Sequence, residues 1–236
     1  MNPTTQALTE RGEKTRARIL EAALQLFLER GYDNATMREI AATAGVSLGN
    51  AYYYFQSKEH LIQGYYERSH DEHLAACDPL LTAERGLEGR LRTVLTSKIA
   101  TSMPYHRFAG TLFKTAADPR SPLSPFSAES EPTRREATEL MAAVVEGSNV
   151  AVPSPLKSEL PHLLWLYLMA IILFWIHDSS PDCRRTQRLI DRTCPIVARL
   201  IRLARNPLLK PLTAGAVRLL RELREDSAGE AIAAPL

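Results

Sequence analysis

Between residues 36 and 58 the chain gathers hydroxyl, amide, phenol, guanidinium and ammonium groups: Thr36, Arg38, Ser47, Asn50, Tyr52, Tyr53, Tyr54 and Lys58, with Leu48 among them. The spacing around them predicts structure. Thr36-Met37-Arg38-Glu39 reads as a capping box at a helix start. That helix stops at Gly45, and Ser47 caps another short helix through Tyr54. Two short helices joined by a tight turn form the unit that lays its second helix in a DNA major groove. Ile40 and the small Ala41 point inward, Val46 fills the turn and Phe55 closes the core. Three adjacent tyrosines cannot all face one side of a helix, so the run Tyr52-Tyr53-Tyr54 must leave at least one ring outside that core.

These residues need helices to hold them. Before them, Ile19, Ala22, Ala23, Leu26 and Phe27 recur at helical spacing, and Gly31 is placed as a left-handed stop. After them, Ser57 is placed to cap a fourth helix from Lys58 to about Ala76, and Pro79 with the 82–89 stretch predicts a break. Helical periodicity continues over 87–103, 106–117, 133–146, 158–178, 182–205 and 213–225. The proline- and serine-rich stretch from Asp118 to Pro132 predicts a long, exposed, mobile loop, and a second irregular segment covers 147–155.

Composition sets limits. Hydrophobic residues make up 45% and charged residues 24%, which fits a folded globular chain. A net charge of +2 says nothing about partners, so a nucleic-acid reading must rest on where the charges sit. The apolar run from Leu163 to Ile176 falls short of the ~20 residues of a membrane span, and no apolar leader precedes the first helix. Three sparse cysteines suit a reducing, cytoplasmic setting. His70, His73 and Cys77 share a helix face, but ~10.5 Å of rise separates the first from the last, so no metal site is expected beyond a possible His73/Cys77 pair. No phosphate loop, nucleophile elbow or paired-acid motif is present, so neither an enzyme nor a cofactor is expected.

The stretch TRARILEAALQLFLERGYDNATMREIAATAGVSLGNAYYYFQSKEHL resembles the N-terminal domain of the TetR family of transcriptional regulators. The resemblance is carried by Phe27, Gly31, Thr36, Ile40-Ala41, Ala44-Gly45-Val46-Ser47, Gly49, Tyr52, Tyr54-Phe55, Lys58-Glu59 and Leu61. Two positions depart from it. Ala51 stands where the family usually carries a larger apolar residue, and Tyr54 where it often has His. The resemblance implies that Ser47, Leu48, Asn50 and Tyr53 meet base edges and sugars, and that Thr36, Arg38, Tyr52, Tyr54 and Lys58 hold phosphates. Arg11, Lys14, Arg16 and Arg18 form a basic cluster nearby, with Arg11 on a flexible arm within reach of a minor groove.

The expected fold is all-α, with an N-terminal three-helix helix-turn-helix domain and a larger helical ligand-binding and dimerisation domain. Its parts are an arm over 1–13, the DNA-binding domain over 14–60, a linking helix over 58–77, the regulatory domain over 78–225 and a tail over 226–236. The helix over 158–178 is apolar almost all round. With 182–205, started by Ser180-Pro181, it resembles the family's dimer bundle. A cavity between 87–117 and 158–178 would be lined by Met103, Tyr105, Phe108, Phe113, Trp165, Met169 and Trp175, favouring a hydrophobic or amphipathic effector. The expected function is a repressor, dimeric on double-stranded operator DNA and released by a small molecule. The competing reading is a helical carrier of small molecules whose helix-turn-helix is only structural.

Overall fold

A computed structural model describes residues 10–206, together with 208, 211, 214, 215, 217, 218 and 222. All regular structure among the described residues is helical. The order is α1 (Glu10–Arg30), α2 (Met37–Thr43), α3 (Leu48–Tyr54), α4 (Lys58–Ala83), α5 (Leu87–Ser102), a 3-10 turn (Met103–Tyr105), α6 (His106–Ala116), α7 (Glu131–Glu146), α8 (Ser154–Lys157), α9 (Leu160–Ile176), a 3-10 turn (Pro181–Cys183) and α10 (Arg184–Leu203). Contacts divide the chain into two compact units, one of residues 1–72 with 102–134, the other of residues 73–101 with 135–236.

In the first unit, Thr36 and Glu39 form the expected capping box and Ser47 caps α3. Gly31 and Gly45 both take left-handed backbone, φ +86° and +65°, which ends α1 and turns the chain between α2 and α3. Ile19, Ala23 and Phe27 of α1, Ile40 of α2, Ala51 of α3 and Leu61 and Ile62 of α4 are buried together. Ala51 is fully enclosed, which lets α3 pack closely without a larger side chain. The core also takes in α6: Phe108 stacks on Phe27 with ring centroids 5.4 Å apart, and Leu112 joins it.

Three expectations are corrected here. Residues 10–13, and with them Arg11, form the first turn of α1 rather than an arm, while residues 1–9 lie outside the described residues. The segment from Asp118 to Pro132 is not wholly exposed: Leu123 is enclosed in the core of the first unit, and Ser124 and Ser130 are buried. Nor is it without local order. Successive turns link Ser121 to Asp118, Ser124 to Ser121 and Ser127 to Ser124 through backbone bonds of 3.0 Å. Each serine hydroxyl then accepts from a backbone N–H just ahead, as at Leu123, Phe126 and Ser130. The serine hydroxyls thus accept from N–H groups that no regular helix or sheet serves in this segment. Finally, α4 does not stop near Ala76 but runs through Pro79 to Ala83. Burial of Cys77 and Leu81 holds the turns on either side of the proline.

In the second unit Leu87, Leu91, Val94 and Leu95 of α5 are buried, as are Met141 and Val144 of α7, Trp165, Leu168 and Ile171 of α9, and Ile190 and Cys194 of α10. The helix expected to open at Asp182 opens at Arg184, after two left-handed residues, Asp182 and Cys183. Asp178 organises this start: its carboxylate accepts from the N–H and hydroxyl of both Ser180 and Thr186 at 2.6–2.9 Å. Burial pushes that carboxyl's pKa upward, but these bonds outweigh burial and hold it well below the usual range. Of the expected helix 213–225, residues 214, 215, 217, 218 and 222 are described and helical; the tail 226–236 lies outside the described residues.

Candidate nucleic-acid interface

The residues of α3 divide as a seven-residue helix must. Ala51 faces the core, while Leu48 and Tyr54 lie part-buried against it. Asn50, Tyr52 and Tyr53 face outward, with Tyr53 73% and Tyr52 45% exposed. Tyr53 also meets the edge of the Tyr54 ring at 5.1 Å. The Ser47 hydroxyl accepts from the Asn50 N–H at 3.1 Å, fixing the start of the helix and leaving the Asn50 amide side chain outward. This outer face thus combines an amide, which can bond a base edge in two places, with two phenols.

The expected phosphate contacts are placed in three ways. Arg38 is exposed on α2 and forms no ion pair among the described residues. Thr36 is exposed, but its hydroxyl serves the capping box, accepting from the Glu39 N–H and donating to the Glu39 carboxylate. That hydroxyl bond is the leading cause of the lowered Glu39 pKa. Lys58 turns back into the protein. Its ammonium donates to the Tyr32 carbonyl at 2.7 Å and the Asp33 carbonyl at 3.4 Å, and lies 4.5 Å from the centre of the Tyr32 ring. It caps the chain where α1 has ended, as a cation at a helix C-terminus does. Beside it the Tyr32 hydroxyl donates to Glu59 at 3.1 Å. This tie between the end of α1 and the start of α4 spans more than twenty residues, so no local spacing could reveal it.

The N-terminal basic cluster thins in the same way. Lys14 pairs with Glu10 at 2.6 Å, and Arg16 pairs with Glu67 at 2.9 Å while lying over the Phe55 ring. Arg11 and Arg18 stay exposed and, among the described residues, outside any ion pair.

Seven aromatic and methionine positions are expected from the sequence around a ligand. Met103, Tyr105, Phe108 and Phe113 belong to the first unit, and Trp165, Met169 and Trp175 to the second. Tyr105 accepts from Arg68 at 2.6 Å and packs edge-on to Tyr65. Phe108 is core, and Trp165 and Trp175 are buried in α9. In the second unit a groove of about 620 Å³ is lined instead by residues that include Leu74, Asp78, Leu81, Arg85, Arg90 and Leu140, and by none of those seven. His73 is buried with Nε2 2.9 Å from the Val94 carbonyl, and burial pushes the Cys77 thiol up to about 11. No cluster of three metal-ligating side chains is found among the described residues, nor a helix long and apolar enough to cross a membrane.

This geometry agrees with two family profiles. One, described as bacterial regulatory proteins of the tetR family, matches residues 19–65. The other, described as the tetracyclin repressor-like C-terminal domain, matches residues 90–217, more than half of the chain. The chain belongs to the TetR family. Among curated relatives, the transcriptional regulator TtgR of Pseudomonas putida is 39% identical over 64 residues, 27% of this chain and 30% of that protein. UidR of Escherichia coli is 45% identical over 51 residues, 22% of this chain and 26% of that one. The alignments thus span under a third of these relatives. Solved structures share the fold over a longer stretch. A TetR regulator from Nitrosomonas europaea has a TM-score of 0.60 at 18% identity, covering 78% of this chain and 98% of that one. The TetR-family repressor FadR of Thermus thermophilus, solved with lauroyl-CoA, has a TM-score of 0.55 at 20% identity, covering 76% and 93%. The family is one of transcriptional regulators, and its all-helical architecture is the one expected from the sequence.

Proposed function

We propose that this TetR-family chain binds operator DNA as a homodimer, reading bases with the outer face of α3, and represses transcription until a small hydrophobic or amphipathic molecule releases it. The observation that carries the reading is that face itself: Asn50, Tyr52 and Tyr53 exposed on a capped helix of a helix-turn-helix unit, with exposed Arg38 on the preceding helix. Asn50 is assigned to base recognition, Tyr53 and Leu48 to base and sugar contact, and Arg38 and Tyr52 to phosphates, with Ser47 and Thr36 fixing the helix starts. Dimerisation is supported by exposed apolar side chains, Leu173 and Phe174 on α9 and Ile196, Leu200 and Leu203 on α10.

In such a dimer the two α3 helices must lie ~34–36 Å apart to enter successive major grooves. The α4 helix contributes residues to both units. A ligand that prefers one setting of α4 would respace the reading helices, with a coupling of ~1–3 kcal/mol. The test is operator affinity across a panel of amphipathic molecules, read with the separation of labels on the two α3 helices. Release accompanied by a changed separation is expected. A molecule that binds tightly and leaves both unchanged overturns the release mechanism.

A further inference from the structure

Arg90, on α5, is only 5% exposed and forms no ion pair among the described residues. Its hydrogen bonds go to backbone carbonyls. Nε donates to Val144 at 3.0 Å, Nη2 to Ala143 at 2.9 Å, and Nη1 to Glu84 at 2.7 Å and to Leu81. These carbonyls come from two places, the end of α4 with the residue just beyond it, and the last turn of α7. The final carbonyls of a helix lack partners within it, and each C-terminus carries the equivalent of about half a negative charge. Two such ends together offset one guanidinium, so a cation whose burial would otherwise be costly is accommodated with no carboxylate bonded to it.

Other features join the same two ends. Gly147 follows α7, and a Cβ there would overlap the Arg90 guanidinium, so a side chain at this position would have to displace it. The Asn149 N–H donates to the Arg85 carbonyl at 2.9 Å. Arg90 and Gly147 also line the groove of about 620 Å³, so a molecule bound there would meet these contacts directly.

We propose that Arg90 is a positioning residue: a latch that pins the end of α4 to the end of α7 and thereby sets the helix that also supplies residues 58–72 to the DNA-reading unit. Its effect on DNA rests on the function proposed above; the latch itself does not.

The test compares Arg90→Met, Arg90→Lys and Gly147→Ala by amide hydrogen exchange and by operator titration. Local openings report local contacts, so in Arg90→Met and Gly147→Ala the peptides covering 80–86 and 143–149 should exchange about ten-fold faster, with α9 and α1–α3 unchanged. Arg90→Lys should recover part of the protection. Operator affinity should fall about three- to ten-fold in the same order, within the usual range of coupling between sites. Unchanged exchange at both ends, or equal acceleration in α9, would overturn the latch. Localised acceleration with operator affinity intact would overturn its positioning role. Should the unaltered protein select no operator, the proposed function fails, and the exchange arm still decides the latch.

Discussion

The outer face of α3 and the outer faces of α9 and α10 are both turned to solvent, yet they are built from opposite chemistry. The first shows an amide and two phenols; the second shows Leu173, Phe174, Ile196, Leu200 and Leu203. A polar, aromatic face loses little by staying wet until it meets bases and phosphates. An apolar face of that kind is costly in water and suits a permanent partner of its own type. Exposure alone therefore says little, and it is the chemistry of what is exposed that supports the proposed assignment of the first surface to DNA and of the second to a second copy.

Breaking the apolar face should have the largest effect. Leu200→Glu places a charge in the middle of the proposed dimer contact, where an unpaired carboxylate is strongly disfavoured. Sedimentation should show monomers at micromolar concentration, and operator affinity should drop by about 100-fold or more. A dimer of unchanged stability would remove the contrast between the two faces.

Phe108→Ala comes next. Because Phe108 stacks on Phe27 in the core of the reading unit, its loss should destabilise that unit by ~3–5 kcal/mol. Calorimetry is the check. An unaltered transition with altered ligand response would return Phe108 to the pocket that its sequence context suggested.

Asp178 gives the pH dependence. Its folded pKa is lowered, so its contribution to stability is present above the ordinary Asp value of ~3.9 and is lost as pH falls below it. Asp178→Asn should cost ~1–3 kcal/mol at neutral pH, where it breaks the bonds from Ser180 and Thr186. The variant should also lose less stability than the unaltered protein between pH 5 and 3. Parallel acid-unfolding curves would contradict this.

The smallest effects separate two cations within the reading unit. Arg38→Ala should weaken binding to all duplexes alike and reduce the salt slope by ~0.9, the value of one released counterion. Lys58→Met should cost ~1 kcal/mol of stability with little change in slope, because its ammonium is already engaged by the Tyr32 and Asp33 carbonyls. An equal loss of slope in both would place Lys58 on phosphate after all.

What was legible in the sequence was local. The Thr36–Glu39 box, the Ser47 cap and the glycine stops at 31 and 45 are set by neighbours a few residues apart, and the structure holds each of them. What was not legible depended on distant partners. Nothing near Lys58 in sequence signals its bonds to the Tyr32 and Asp33 carbonyls beyond the end of α1. Pro79 reads as a helix end until the burial around it is seen, and Asp118 to Pro132 as a bare loop until Leu123 is seen in the core. Arg90 carries no motif, since its acceptors are backbone carbonyls that any residue supplies.

The outer face of α3 is the centre of the account, and selection from a pool of random duplexes tests it most directly, with the protein and its Asn50→Ala variant run side by side. The unaltered protein should enrich a palindrome with half-sites about one helical turn apart. Asn50→Ala should relax preference at particular base pairs by ~1–3 kcal/mol while its salt slope stays the same. Enrichment of the same sequence to the same degree by both proteins would contradict the assignment of this face to base reading.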